Sequence, residues 1–295
     1  MKYEFIDRYR SAFRVMKMCQ VLEVSRSSYY AWKRRPESVT ERRNRKLLDE
    51  IKQIWERSRR LYGSPRITSG LHDQGILCGH NRVARLMKQH NIRAKTKRRF
   101  KVTTRSDDKL PVAPNIVQRQ FYSDLPDRVW LSDITYIRTL QGWLYLAAIL
   151  DVYSRQIVGW SMDAYLGDQL VLTAIRKTLG RRQSTSGLIF HSDRGSQYAS
   201  NSVRTLLEEQ EFIQSMSGKG NCYDNAMMES FFATLKTELV QFETYRTRAE
   251  AKQSIFEYIE IFYNRIRKHS ALGYRSPAQF EQHLNLTIPP VHIFG

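Results

Sequence analysis

The sequence predicts an α/β core, a five-stranded mixed sheet with flanking helices, behind an α-helical front end. Three observations predict it. From about residue 129 onward, short apolar β-rich stretches alternate with amphipathic helical ones. Before that point only helical periodicities occur, broken at Pro36 and at Tyr62-Gly63-Ser64-Pro65. The charge divides in the same way. Residues 1–110 carry 29 Lys and Arg against 11 Asp and Glu, a surplus of 18, whereas residues 111–295 carry 19 against 18.

Residues 1–38 read as a helix-turn-helix-like unit. Phe13, Met16, Cys19 or Gln20, and Leu22 recur at helical spacing. Ser25 stands where it can cap a following helix, whose start presents Arg26, Ser27 and Tyr30, with Tyr29 and Trp32 to anchor it. Such a second helix enters the major groove of DNA; a generic helical hairpin gives the same pattern. Residues 39–101 read as a second, basic module of the same kind. A long helix from Thr40 to Arg60 carries Leu47, Leu48, Ile51, Ile54 and Trp55 on one face, and a helix restarts at Pro65. Another, His80 to His90, turns Val83, Leu86 and Met87 inward and Arg82, Arg85 and Lys88 outward. Its tail, with Arg98 and Arg99, is a run of cations that meets phosphate whether folded or not. A surplus this large and one-sided favours a polyanionic partner, with counterion release as the driving term. Residues 102–125, rich in Thr, Ser, Asp and Pro, read as a linker.

Residues 126–240 read as the core. Val129–Ile137 alternates as a strand, Gly142 marks a hairpin, and Trp143–Leu150 is almost wholly apolar. Gln156–Met162 is a third strand, Asp168–Thr178 a helix, Leu188–His191 a short buried strand, Ser202–Gln210 a helix, Phe212–Ser215 a fifth strand and Asn221–Val240 a long helix. Three strands, then helix, strand, helix, strand, helix is the order of a ribonuclease-H-like fold. Residues 241–295 read as a helical extension. There Ile255, Tyr258, Ile259 and Phe262 lead into Tyr263, Asn264, Arg267 and His269, which serve packing, DNA contact or subunit contact.

Three acids occupy unusual positions. Asp133 lies mid-strand between apolar residues, where an uncompensated charge is costly. Asp193 follows a buried strand at its carboxyl end, where α/β sheets bind ligands. Glu229 is flanked by Met227, Met228, Phe231 and Phe232. Brought together by such a sheet, the three repel one another and call for cations. Oxygen ligands with open positions suit Mg²⁺ or Mn²⁺, and two ions ~4 Å apart serve phosphoryl transfer.

These residues and their surroundings resemble the DDE triad of retroviral-integrase-like transposases. Asp193 and Glu229 are separated by 35 residues. The matching stretches are Trp130 to Tyr136, His191 to Tyr198, Gly220 to Phe232, and Tyr263-Asn264, Arg267, His269, Leu272-Gly273-Tyr274 and Ser276-Pro277. The resemblance spans nearly the whole chain and is to the downstream-frame product of two-frame bacterial insertion sequences. It implies an integrase catalytic core in which Asp133, Asp193 and Glu229 hold Mg²⁺ or Mn²⁺, as two ions. It implies nicking at the element's ends and attack by the freed 3′ hydroxyl on another phosphodiester. The implied partners are double-stranded DNA, as terminal inverted repeats and target, an upstream-frame protein or frameshift fusion, and further copies of the chain on DNA. This chain shows no zipper of the upstream-frame type and no N-terminal His/Cys zinc unit.

Other residues are weighed on spacing. Asn225, Glu229, Phe232 and Lys236 share one helix face, so Asn225 can touch DNA or the metal shell and Lys236 can hold a phosphate. Replacing Lys236 by Ala is expected to weaken end-DNA binding while sparing metal binding. His191 shares a strand face with Asp193 and orients that carboxylate, contacts the scissile phosphate or forms a core hydrogen bond. Asp224 and Asn221 fit a helix N-terminus. Asp151 is a turn former or a helper acid, and Arg194 and Lys219 suit a DNA path. Cys19, Cys78 and Cys222 have no close pairing, which fits free thiols in a bacterial cytoplasm. His72, Cys78 and His80 lack a fourth ligand for zinc. No apolar run of membrane-spanning length and no secretory signal occurs. A hydrolysis-only nuclease, or a DNA-binding regulator or relict with an inactive core, shares most of these features.

Overall fold

The computed structural model describes residues 2–34, 37–95, 113–182, 186–218 and 222–287. Arg98 and Arg99, Lys219 and Asn221 lie outside them.

The front end begins with α1 (Lys2–Tyr9), α2 (Val15–Val21) and α3 (Arg26–Arg34) around a small core of Ile6, Met18, Cys19 and Tyr29. Its inward face matches the expected one at Cys19 and Leu22 and departs from it at Phe13 and Met16. Val15, Met18, Cys19 and Leu22 pack inward, while Phe13 is 61% and Met16 53% exposed. The cause is α1, whose Ile6 sets the facing surface and whose short amphipathic run does not stand out in the sequence. Trp32 anchors only in part, leaning on Tyr3 and Tyr29.

Next come α4 (Val39–Arg57), α5 (Ser64–Asp73) and α6 (His80–Gln89). Helix α4 starts at a capping box: Ser38 Oγ accepts from the Glu41 N–H at 3.1 Å and the Glu41 carboxylate accepts from the Ser38 N–H at 2.7 Å. Leu47, Leu48, Ile51 and Ile54 bury one face against Ile67, Leu71, Val83 and Leu86, and this cluster runs on into the α/β core.

The core sheet holds β1 (Val129–Thr139), β2 (Gly142–Asp151), β3 (Ile157–Asp163), β4 (Ile189–Ser192) and β5 (Ile213–Met216), in the order β3-β2-β1-β4-β5. The first three form an antiparallel meander, and β4 and β5 join in parallel. Helix α7 (Asp168–Leu179) and α8 (Asn201–Glu209) cover one face. The other is covered by α9 (Ala226–Glu238) and by α10 (Arg248–Phe256), which continues as a π-helix over Glu257–Tyr263. The alternation of side chains divides the core: Trp130, Ala147 and Ile149 face α7, while Leu131, Ala148 and Leu150 face α9. Helix α11 (Pro277–Thr287) ends the described chain.

Asn264, just past the π-helix, pins the edge strand. Its Oδ1 accepts from the Ile157 N–H at 3.0 Å and its Nδ2 donates to the Ile157 carbonyl at 2.9 Å. Among the described residues no helix is long and apolar enough to cross a membrane.

Candidate functional site: a carboxylate cleft

Strand register places two of the three acids. In the parallel β1/β4 pair Leu131 lies opposite His191. Asp133 and Asp193 each follow two residues later, so the period of two puts them at one level on neighbouring chain paths, on the α9 side. Glu229 stands in the first turn of α9 on that side, before the buried Phe231, Phe232 and Leu235.

Asp133 is recessed but not sealed: protein crowds it, while its carboxylate still reaches solvent. Crowding first, then the charges of Asp193 and Glu229, pushes its carboxyl up to about 8, against a pull downward from the Ile134 N–H and Lys236. Its Oδ1 accepts from that N–H at 2.7 Å. Asp193 is raised by desolvation, and its Oδ1 accepts from the Gly195 N–H at 3.0 Å. Glu229 is raised for the same reason. Lys236 loses basicity through burial, regains part of it from Asp133, and lies 5.8 Å over the Tyr136 ring. Gly195 makes room, since a Cβ there would lie 3.0 Å from Asp193 Oδ1 and 3.1 Å from Gln197 Oε1.

Among the described residues no three His, Cys, Asp or Glu side chains already converge as a metal cage. The donor set nonetheless suits a hard divalent cation. All the donors are oxygens, each aspartate has an oxygen outside any hydrogen bond among the described residues, and the crowding that disfavours their charge is what a cation relieves.

Behind Asp133, Asn225 donates to the Ser132 carbonyl at 3.0 Å, while its buried Oδ1 has no partner among the described residues. It occupies the N-cap position of α9 without capping it. His191 is fully buried, with Nδ1 2.9 Å from Ser215 Oγ and Nε2 3.2 Å from Ser217 Oγ. It ties β4 to β5 and makes no hydrogen bond to Asp193, which is the core-facing alternative.

Asp224 does not cap α9. Burial would raise its carboxyl, but the Gly218 N–H and Arg119 hold it below the ordinary value; it also accepts from Asn115 at 2.9 Å, tying residues 113–120 to the helix start. Asp151 is fully buried and accepts from the Ser154 N–H and hydroxyl and from the Asp127 N–H, so it forms a turn. Burial lifts it to about 6 against those bonds.

Of the expected DNA contacts, Arg26, Ser27, Tyr30 and Arg85 are exposed and far in sequence from the carboxylates. Arg82 is half-buried, because its guanidinium grips Asn44 Oδ1 at 2.7 and 2.9 Å; it does not simply point outward. Arg194 donates to the Ser217 carbonyl at 2.6 Å. His72 and His80 engage the Cys78 carbonyl and Ser64 Oγ, not a metal. Cys19 and Cys78 are free.

An integrase core domain model matches residues 123–222, with a second integrase core model on 229–284, and an HTH-like domain model matches 41–100. Transposase InsF for insertion sequence IS3A of Escherichia coli K12 is 40% identical over 95% of this chain and 98% of its own. The chain belongs to the IS3 family of transposases. An insertion element IS600 31 kDa protein of Shigella sonnei is 46% identical over 90% of this transposase and 97% of its own length. A chain in the simian T-cell lymphotropic virus intasome bound to PP2A regulatory subunit B56 gamma aligns at 13% identity and TM-score 0.47, over 77% of this chain and 73% of that one.

Proposed function

We propose that this transposase is a metal-dependent polynucleotidyl transferase that cleaves DNA at an element's ends and transfers the freed strand. The carrying observation is that Asp133 on β1 and Asp193, the residue just past β4, each lie two positions beyond the Leu131–His191 pair of the parallel register, with Glu229 on the helix that covers that face. These three would hold Mg²⁺ or Mn²⁺, as two ions, which when bound would activate the attacking oxygen and stabilise the leaving one. The chain's own residues do the rest. The Ile134 and Gly195 N–H groups fix one oxygen of each aspartate and so aim the other into the cleft. Asn225 holds β1 at the Ser132 carbonyl. Lys236 sets a positive charge beside Asp133, where it can meet a DNA phosphate.

Residues 1–38 and 39–101 are the DNA-binding units in this reading, 102–125 the connection, 126–240 the catalytic core and 241–295 its extension. Arg26, Ser27, Tyr30, Arg82, Arg85, Arg98 and Arg99 take phosphates or bases. The partners are the element's terminal repeats, target DNA, further copies of the chain and an upstream-frame protein or fusion, in the bacterial cytoplasm.

Strand transfer in Mg²⁺ on DNA carrying the element's own ends tests this, comparing the natural chain with Glu229→Gln. Joined products that vanish in the variant are expected. Nicked products alone would indicate a hydrolytic nuclease. Salt-sensitive binding with no cleavage, even with the upstream-frame fusion added, would reduce the chain to a DNA-binding protein.

A further inference from the structure

On the side of α9 turned away from Glu229, the structure holds a polar cavity of about 250 Å³. Three arginines line it, each from a different part of the chain: Arg66 from α5, Arg155 from the turn between β2 and β3, and Arg267 from the segment after the π-helix. Ser230 of α9, Tyr263 and His269 also line it. No Asp or Glu lines it.

The arginines are not equally committed. Arg267 makes a two-pronged pair with Glu238, Nε at 2.8 Å and Nη2 at 2.7 Å, and Arg66 reaches the same carboxylate at 3.8 Å. Glu238 therefore offsets one of three positive charges. Arg155 has no ion pair or side-chain hydrogen bond among the described residues, and the Tyr263 hydroxyl has no partner either. Arg155 also sits at φ 58°, a left-handed conformation that a side chain of its kind rarely adopts. Here the turn is locked by the Asp151 carboxylate, which accepts from the Ser154 N–H at 2.8 Å. The electrostatics agree. Burial first, then Arg267, Arg66 and Arg155 together, hold His269 down to about 3, so its ring stays neutral and its Nε2 can accept from Arg267 Nη1 at 3.0 Å. Burial keeps the Tyr263 phenol protonated, at about 12, as a donor.

A cavity walled by cations and O–H donors, with its one nearby acid already spoken for, is built for an anion with several oxygens. We infer that it takes a phosphate of the DNA backbone, held by Arg155 with Arg66 and Arg267, at the seam between the helical front end and the core. This rests on the reading of the chain as a DNA-processing transposase. The seam favours DNA as the source: Arg66 belongs to the module matched as HTH-like, and the front end carries the chain's charge surplus. The phosphate held is not the scissile one, because the body of α9, on the order of 10 Å across, separates the cavity from Glu229. The site thus fixes the path of the strand beside the cleft and couples front-end docking to core alignment.

The test uses the full chain, with Arg155→Gln and Arg155→Lys, on duplex DNA and on inorganic phosphate. The Arg155 side chain makes no ion pair or hydrogen bond among the described residues, so both variants should melt with the natural chain. Duplex affinity is measured from 50 to 200 mM salt. For Arg155→Gln the slope of log affinity against log salt should shrink by about 0.9, which is about a 3-fold smaller loss over that range. Arg155→Lys should retain the slope. Inorganic phosphate, followed by ³¹P NMR, should bind the natural chain, be displaced by duplex, and not bind Arg155→Gln. An unchanged slope with phosphate binding lost would make this a free-anion site and overturn the DNA assignment. Neither quantity changing would overturn the site altogether, while strand transfer intact in all three proteins would leave the proposed chemistry standing. A natural chain that binds phosphate but no duplex would sink the DNA-processing reading instead.

Discussion

Replacing Asp133 by Asn should make the metal-free fold more stable while removing the chemistry. Burial and two neighbouring carboxylates raise this carboxyl from 3.8 to about 8. A folded-state value above the unfolded one means that the native chain binds the proton more tightly. Stability from this group is complete below pH 3.8 and drains away as pH rises toward 8. At pH 7 the interval of about 3 pH units sets an upper bound of about 4 kcal/mol. Solvent at the carboxylate screens part of it, so a gain of about 2 kcal/mol is expected from the neutral amide. In a chain of 295 residues that is a rise of about 3 °C in melting temperature. The assay is thermal or urea unfolding in EDTA at pH 5, 7 and 8.5. The gain should be smallest at pH 5 and level off above pH 8. Added Mg²⁺ should stabilise the natural chain and leave the variant unmoved, because a ligand stabilises only the state that binds it. A variant less stable than the natural chain at pH 7, or a difference that ignores pH, would refute the account of Asp133 as a strained carboxylate.

Three further outcomes follow from specific contacts. Gly195→Ala puts a methyl 3.0 Å from Asp193 Oδ1, so Mg²⁺-dependent strand transfer should fall at least about 10-fold with unfolding changed by under about 1 kcal/mol; unaltered Mg²⁺ dependence would show that Asp193 aims elsewhere. Gly159→Ala would set its Cβ 1.7 Å from Thr178 Oγ1, where β3 meets α7, and should destabilise by about 3 kcal/mol in urea unfolding. Adding Thr178→Ala should recover part of that loss, and no recovery would place the clash elsewhere. Glu238→Gln strips the buried Arg267 of its carboxylate and should cost about 3–5 kcal/mol, whereas a loss under 1 kcal/mol would mean that water already compensates the pair.

The sheet was legible because its strands alternate cleanly. The span Val129–Ile137 anticipates β1 and Trp143–Leu150 anticipates β2, and an aspartate interrupting the first alternation was visible as an anomaly. The helical face of α2 was not, since its inward side is chosen by Ile6 of a helix with no strong signal of its own. The roles of His191 and Asp224 were equally hidden: spacing says which strand or helix a side chain rides on, but their partners, Ser215 and Arg119, are 24 and 105 residues away. The arginine cavity joins residues 66, 155 and 267, which no local window contains. One signal could have been read: Ser38 and Glu41 spell a capping box three residues apart.

The Asn264 clamp on Ile157 has a consequence for synthesis. The outermost strand finishes its pairing with a side chain made more than a hundred residues later. While a ribosome is still translating the segment between them, the meander exists with its border open and its α9-side apolar surface uncovered. The helical front end, by contrast, has by then emerged whole. The growing polypeptide therefore has the helical modules proposed to bind DNA before the fold around its carboxylates is closed, and a product truncated before residue 264 would carry the first without the second.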